Sequence, residues 1–93
     1  MIQEIRTSMA PAAVLAAAKE FFPRQGGIYA AYPEKEGPGY VTFRGQGGEE
    51  IVIGAVADGN ATAVRGSTYL FDQQVGRFLT SLEPLPLAEQ VTG

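Results

Sequence analysis

The chain contains neither cysteine nor histidine, and only 18% of its 93 residues are charged. Without cysteine there is no disulfide scaffold, no thiolate metal site and no thiol nucleophile. Without histidine the usual general base and the commonest metal ligand are missing. Positive charge is scarce as well: seven Lys and Arg against ten Asp and Glu leave a formal net charge of -3. Duplex binding relies on clustered cations that neutralise phosphates, and here they are scattered along the chain, so nucleic acid is not an expected partner. Long apolar runs are also absent. The stretch 9–18 is mostly alanine with Pro11 inside it, too short to span a bilayer. The first residues carry no basic region followed by a long apolar core, unlike a secretory signal, so the expectation is a cytoplasmic protein with no membrane contact.

What is present suits a folded chain. Hydrophobic residues make up 45% and aromatics 10%, which sets it apart from acidic disordered segments. A chain of this length forms one domain, burying roughly 60–65% of its unfolded surface. Residues 2–8 mix apolar, charged and β-branched types and read as a strand. Pro11 suits the first turn of a helix, where its missing N–H is not needed. Val14, Leu15, Ala18, Phe21 and Phe22 then form an apolar stripe at helical period, and Pro23 disfavours helix beyond Phe22.

From 28 to 71 Gly and Pro punctuate short runs rich in Val, Ile, Tyr, Phe and Thr, the pattern of antiparallel strands. Strands are expected at 28–33, 39–45, 50–57 and 61–71, joined through 34–38, 46–48 and Asp58-Gly59. The last reads as a type I′ hairpin turn. That loop sets Ile53 across from Val64, and moving it to Gly59-Asn60 keeps the same residues on the same faces. Ile51, Ile53, Ala55, Val64, Thr68 and Leu70 then share the helix-covered face. Val52, Val56, Arg65, Ser67, Tyr69 and Phe71 share the other. Val41 and Phe43 should point inward, and Tyr40, Thr42 and Arg44 outward. Asp72 can cap a second helix at 72–82, whose Val75, Phe78, Leu79 and Leu82 form an apolar stripe while Arg77 faces away. The chain thus divides into a domain at 1–82 and a proline-containing tail at 83–93, read as polyproline-like.

The resulting class is α+β, in the order β-α-β-β-β-β-α: a five-stranded antiparallel sheet with two helices packed on one face. This order resembles a single-copy unit of the TATA-box-binding-protein-like fold and its larger relatives, the helix-grip (SRPBCC-like) proteins of the START and pollen-allergen type. The resemblance covers residues 2–82. It rests on the proline-started helix directly after the first strand (Ser8-Met9-Ala10-Pro11) and on a long last strand running into the final helix (Val64-Arg65-Gly66-Ser67-Thr68-Tyr69-Leu70-Phe71-Asp72). It implies a helix closing over a curved sheet, with an apolar ligand between them. The chain departs from those relatives in being far shorter, without the second helix and extra strands that usually follow the first helix there.

Several motifs have ordinary explanations. Gly45-Gln46-Gly47-Gly48 resembles a phosphate loop but precedes a strand and lacks lysine, so it reads as a hairpin connection. Asn60-Ala61-Thr62 matches a glycosylation sequon, but turn chemistry explains Asn60. Glu49-Glu50 and Glu34-Lys35-Glu36 sit near Gly-rich hairpin ends, where solvated charge is normal, and no metal site is expected. Tyr40, Arg44, Arg65 and Tyr69, with Thr42 and Ser67 between them, populate the face opposite the helices. They could meet a ligand or partner, or simply make a half-solvated face on which arginine stems cover tyrosine rings. Arg6 could join them, its facing undetermined. Phe22, Phe43 and Phe78, with Phe21, could line an apolar pocket, but a core this small needs its large side chains for packing.

No nucleophile or tuned acid–base pair stands out, and no cofactor is implied. The expectation is therefore a non-enzymatic interaction or assembly module, self-associating as a homodimer through its sheet edge or open sheet face. The alternative is a small carrier of an apolar molecule, of the helix-grip kind.

Overall fold

A computed structural model of the chain describes residues 1–85. The elements are β1 (Ile2–Thr7), α1 (Pro11–Phe21), β2 (Ala31–Gly37), β3 (Tyr40–Gly45), β4 (Glu50–Asp58), β5 (Ala61–Thr68) and α2 (Asp72–Ser81). Pro11 occupies the first turn of α1, where its ring pre-sets a helical φ and no N–H is missed. One turn of 3₁₀ helix (Phe22–Arg24) ends the segment at Pro23. The strands form one antiparallel sheet in the order β1-β5-β4-β3-β2.

Both helices lie on the same side of the sheet, as the sequence predicts. Val14, Ala18 and Phe22 meet Val41, Phe43, Ile51, Ile53, Ala55 and Val64 from the strands and Val75, Phe78 and Leu79 from α2 in one core. The Phe22 ring joins the two layers, its centroid 4.9 Å from that of Phe43 and 5.3 Å from that of Phe78. Such tilted aromatic contacts add to plain area burial.

The structure corrects four local expectations. The hairpin between β4 and β5 turns at Gly59-Asn60, with Asp58 paired to Ala61 and Ile53 opposite Gly66 rather than Val64. Gly59 alone takes a positive φ, +64°, so the turn is of the II′ kind, with glycine at its first central position, rather than type I′. The two registers differ by two residues, so every side chain keeps its face.

The second correction is β2. It begins at Ala31 and runs through Glu34, Lys35 and Glu36, which composition marks as a connection; residues Gly27–Tyr29 form a 3₁₀ turn instead. The actual turn is Pro38-Gly39, between the paired Gly37 and Tyr40. An edge strand exposes so much of itself that charge there costs little, and a composition reading mistakes it for a loop.

The third lies at the end of β5. The strand stops at Thr68, and alternation stops with it. Leu70, expected inside, is 66% exposed, and Phe71, expected outside, is 4% exposed and belongs to the core. Finally, Asp72 is not the cap of α2. Phe71 holds that position, and its N–H donates to Thr68 Oγ1 at 3.3 Å. Asp72 instead places its negative charge in the first turn, where the helix dipole favours it.

Past α2 the chain returns to β1. Thr7, fully buried, donates its hydroxyl to the Glu83 carbonyl, and its Oγ1 accepts the Met9 N–H at 3.2 Å. Pro84 bridges Thr7 in antiparallel fashion, and Leu85 is buried. The rest of the expected tail, 86–93, lies outside the described residues.

Candidate functional site

With both helices on one side, the opposite face of the sheet is left uncovered by any described element. Register determines what it displays. One row across the strands reads Glu4, Arg65, Gly54, Tyr40, Gly37, and the next reads Ile2, Ser67, Val52, Thr42, Lys35. Tyr40, Arg44, Arg65 and Tyr69 all lie on or beside this face and are exposed, Tyr69 at 87% and Tyr40 at 40%. Tyr40 and Arg65 stand in one row with only Gly54 between them. Arg44 belongs to the row of Tyr32 and Glu50. Tyr69, just past the end of β5, borders a shallow depression of about 270 Å³ with Met1, Glu50, Val52 and Ser67.

The arginines are held by carboxylates. Arg44 meets both oxygens of Glu34, Nη2 at 2.8 Å and Nε at 3.2 Å, and also donates to the Gly48 carbonyl at 3.0 Å. Its hydrogen bond to Glu34 keeps that carboxyl below its ordinary pKa, and the same contact raises the guanidinium. Glu50, paired with Arg44 across the strands, lies 3.5 Å from Nη2. Arg65 is paired with Glu4 at 2.9 Å. Arg6, whose facing the sequence leaves open, shares this side, with Nε 3.3 Å from Asp58.

These partners are what the sequence reading missed. Glu4 and Asp58 are far in sequence from the arginines they hold, and Glu34 and Glu50 were read as solvated charge at hairpin ends. The detectable signal is cross-strand register: a turn at 46–48 places Glu50 directly across from Arg44. Four cations (Arg6, Lys35, Arg44, Arg65) and four carboxylates (Glu4, Glu34, Glu50, Asp58) thus stand on or border the face, and its charge cancels. The rest of the chain keeps three cations against six carboxylates, and with them the whole formal charge of -3.

Phe22, Phe43 and Phe78 are each fully shielded from solvent and in ring contact through Phe22, and Phe21 packs against the same cluster. Among the described residues no three carboxylates converge on a point that could hold a metal ion, and no helix is long and apolar enough to cross a membrane. No known protein family, curated protein or solved structure matches the chain.

Proposed function

We propose that the protein is a non-enzymatic assembly module that pairs with a second copy of itself through the open face of its sheet. The observation that carries this reading is the cancelled charge of that face. Two identical copies repel wherever like charge meets like, and the net -3 belongs to residues other than the eight charged groups of this face. On the open face each arginine already stands beside a carboxylate, so a two-fold axis passing between Arg65 and Glu4 would set each of them against its opposite on the other copy. Such a patch is self-complementary, as an isologous interface requires.

Exposed apolar groups supply the contact. Val56 is 63% and Ile2 57% exposed, with Tyr40 between the charged corners and Val52 half-buried at the centre. Five strands about 4.8 Å apart and some 20 Å long give a patch of about 500 Å² in projection, enough for a weak, exchanging dimer.

Self-pairing through the β2 edge is opposed by Pro33, by a bulge between Pro33 and Lys35, and by the charge at 34–36. The apolar-carrier alternative has less support, since the three phenylalanines that would line its pocket are packed on one another. Nucleic acid is opposed by the carboxylate held against each arginine of the face. The resemblance to the TATA-box-binding-protein-like and helix-grip folds belongs to this reading and is supported by element order, and a cytoplasmic setting fits it.

Sedimentation velocity between about 1 and about 500 µM tests the proposal, since a weak interface associates within that range. The expected result is a monomer–dimer equilibrium that Val56→Lys and Tyr40→Ala each shift towards monomer. A strict monomer throughout overturns it.

A further inference from the structure

Four of the large apolar side chains left exposed in this molecule meet at one end of the sheet. Ile28 is 67% and Tyr29 46% exposed in the 3₁₀ turn before β2, and Tyr69 and Leu70 stand outside the core just past β5. The two segments are held together. The Tyr29 ring meets that of Phe71 edge-on, centroids 5.9 Å apart, and Phe71 is anchored in the core. Gln46, in the turn between β3 and β4, donates its Nε2 to the Gly27 carbonyl at 3.4 Å. Gly45 leaves a space that Phe71 and Glu49 share: a Cβ there would sit 3.1 Å from the Phe71 ring and 2.5 Å from Glu49 Oε1. The Glu49 carboxylate thus stands beside the apolar segments.

We propose that this end of the molecule docks a basic amphipathic segment of a partner protein, its apolar side on Ile28, Tyr29 and Leu70 and its cations towards Glu49 and Glu50. Three observations carry this. First, Ile28 and Leu70 belong to connections between elements, where polar residues are the rule, and clustered apolar exposure marks a contact surface. Second, the Tyr29–Phe71 contact and the hydrogen bond from the Phe71 N–H to Thr68 Oγ1 fix both segments in advance, which lowers the ordering cost of binding. Third, the border is acidic. Glu49, Glu50 and Asp72 adjoin it, and Glu49 has no cationic partner: the chain's seven Lys and Arg all fall within the described residues, and no ion pair joins any of them to Glu49. The guanidinium beside Glu50, that of Arg44, is already bound by both oxygens of Glu34. Charge complementarity therefore selects the occupant. A second copy presents the same carboxylates and is repelled, as is an anionic lipid surface, and residues 86–93 contain no lysine or arginine. The site does not depend on the face-to-face dimer, whose Tyr40 lies at the opposite end of β3 from Gly45.

The test uses the full chain and two end-capped amphipathic peptides, each with leucine along one helical face and either lysine or glutamate along the other. Affinity is read by fluorescence anisotropy of labelled peptide, and position by NMR shifts of backbone amides. The lysine peptide is expected to shift amides of 27–29, 46–49 and 69–72 and to bind at least about threefold more tightly than the glutamate peptide. Ile28→Ser combined with Leu70→Ser is expected to weaken it at least about fivefold and leave the unfolding midpoint unchanged, since both side chains are exposed. Glu49→Gln is expected to reduce the preference for lysine and flatten its salt dependence. Tyr40→Ala should leave the peptide's affinity unchanged, which separates this site from the dimer. Shifts confined to other surfaces, or equal affinity for the two peptides, overturn the proposal. Adsorption to phosphatidylcholine vesicles with no response to the lysine peptide overturns it in favour of a lipid surface. Shifts at 27–29 and 69–72 that appear on concentrating the protein alone overturn it in favour of a second copy.

Discussion

Gly66 on β5 lies directly beneath Val75 of α2: a Cβ at position 66 would sit 2.5 Å from Val75 Cγ1 and 3.5 Å from Ile53 Cδ1. The bare backbone is what lets the second helix settle onto the strand. Gly66→Val should overpack this contact and destabilise the protein by about 1–3 kcal/mol, with Gly66→Ala costing less. Val75→Ala, itself destabilising, should recover part of the loss when combined with Gly66→Ala, giving a non-additive double-mutant cycle in urea unfolding. Additive effects would show that the two positions do not share this contact.

Thr7 joins the start and the end of the described chain through one buried hydroxyl. Thr7→Val keeps the shape but leaves the Glu83 carbonyl and the Met9 N–H without that partner, at a cost of about 1–3 kcal/mol. Thr7→Ser keeps the hydroxyl and should retain most of the stability. Equal melting temperatures for the valine variant and the parent would remove the hydroxyl from the account.

Phe78 is fully buried and in ring contact with both Phe21 and Phe22. Phe78→Ala should cost about 3–5 kcal/mol, a large share of the stability of a domain this small. Phe78→Leu keeps most of the volume and provides a variant that still folds. Its near-ultraviolet circular dichroism should report the loss of aromatic packing.

Glu34 provides a test in pH. Its carboxyl is lowered chiefly by the hydrogen bond from Arg44. A carboxyl whose folded pKa lies below its unfolded value adds stability above about pH 4.5, and this is lost as pH falls through the folded value. The gap in unfolding midpoint between the parent and Glu34→Gln should therefore stay constant from about pH 8 to about pH 5 and close under more acidic conditions. The pair lies at the surface, in contact with solvent, so the gap should be small and shrink in salt. A gap that widens in acid would contradict the assignment.

How far these features can be read from the sequence depends on how local their causes are. The stripe of Val75, Phe78 and Leu79 and the start of α1 at Pro11 follow from helical period and backbone chemistry within a few residues. The faces of β4 and β5 are legible because period-two alternation survives the two-residue shift of their hairpin. Phe71 and Leu70 are not, because alternation holds only while the strand lasts, and Thr68 ends it with a side-chain hydrogen bond from outside the ladder. The candidate face itself is legible, since Tyr40, Arg44, Arg65 and Tyr69 stand on or beside it. Its neutrality is not, because the contacts of Glu4 with Arg65 and of Arg6 with Asp58 join strands whose residues lie more than fifty positions apart in the chain.

The bulge after Pro33 sets a limit on side-by-side extension of the sheet. A fibril of copies laid side by side needs two receptive margins on every unit, and β2 withholds one. Stacking of copies edge to edge into a continuous sheet is therefore opposed at the same margin of every molecule.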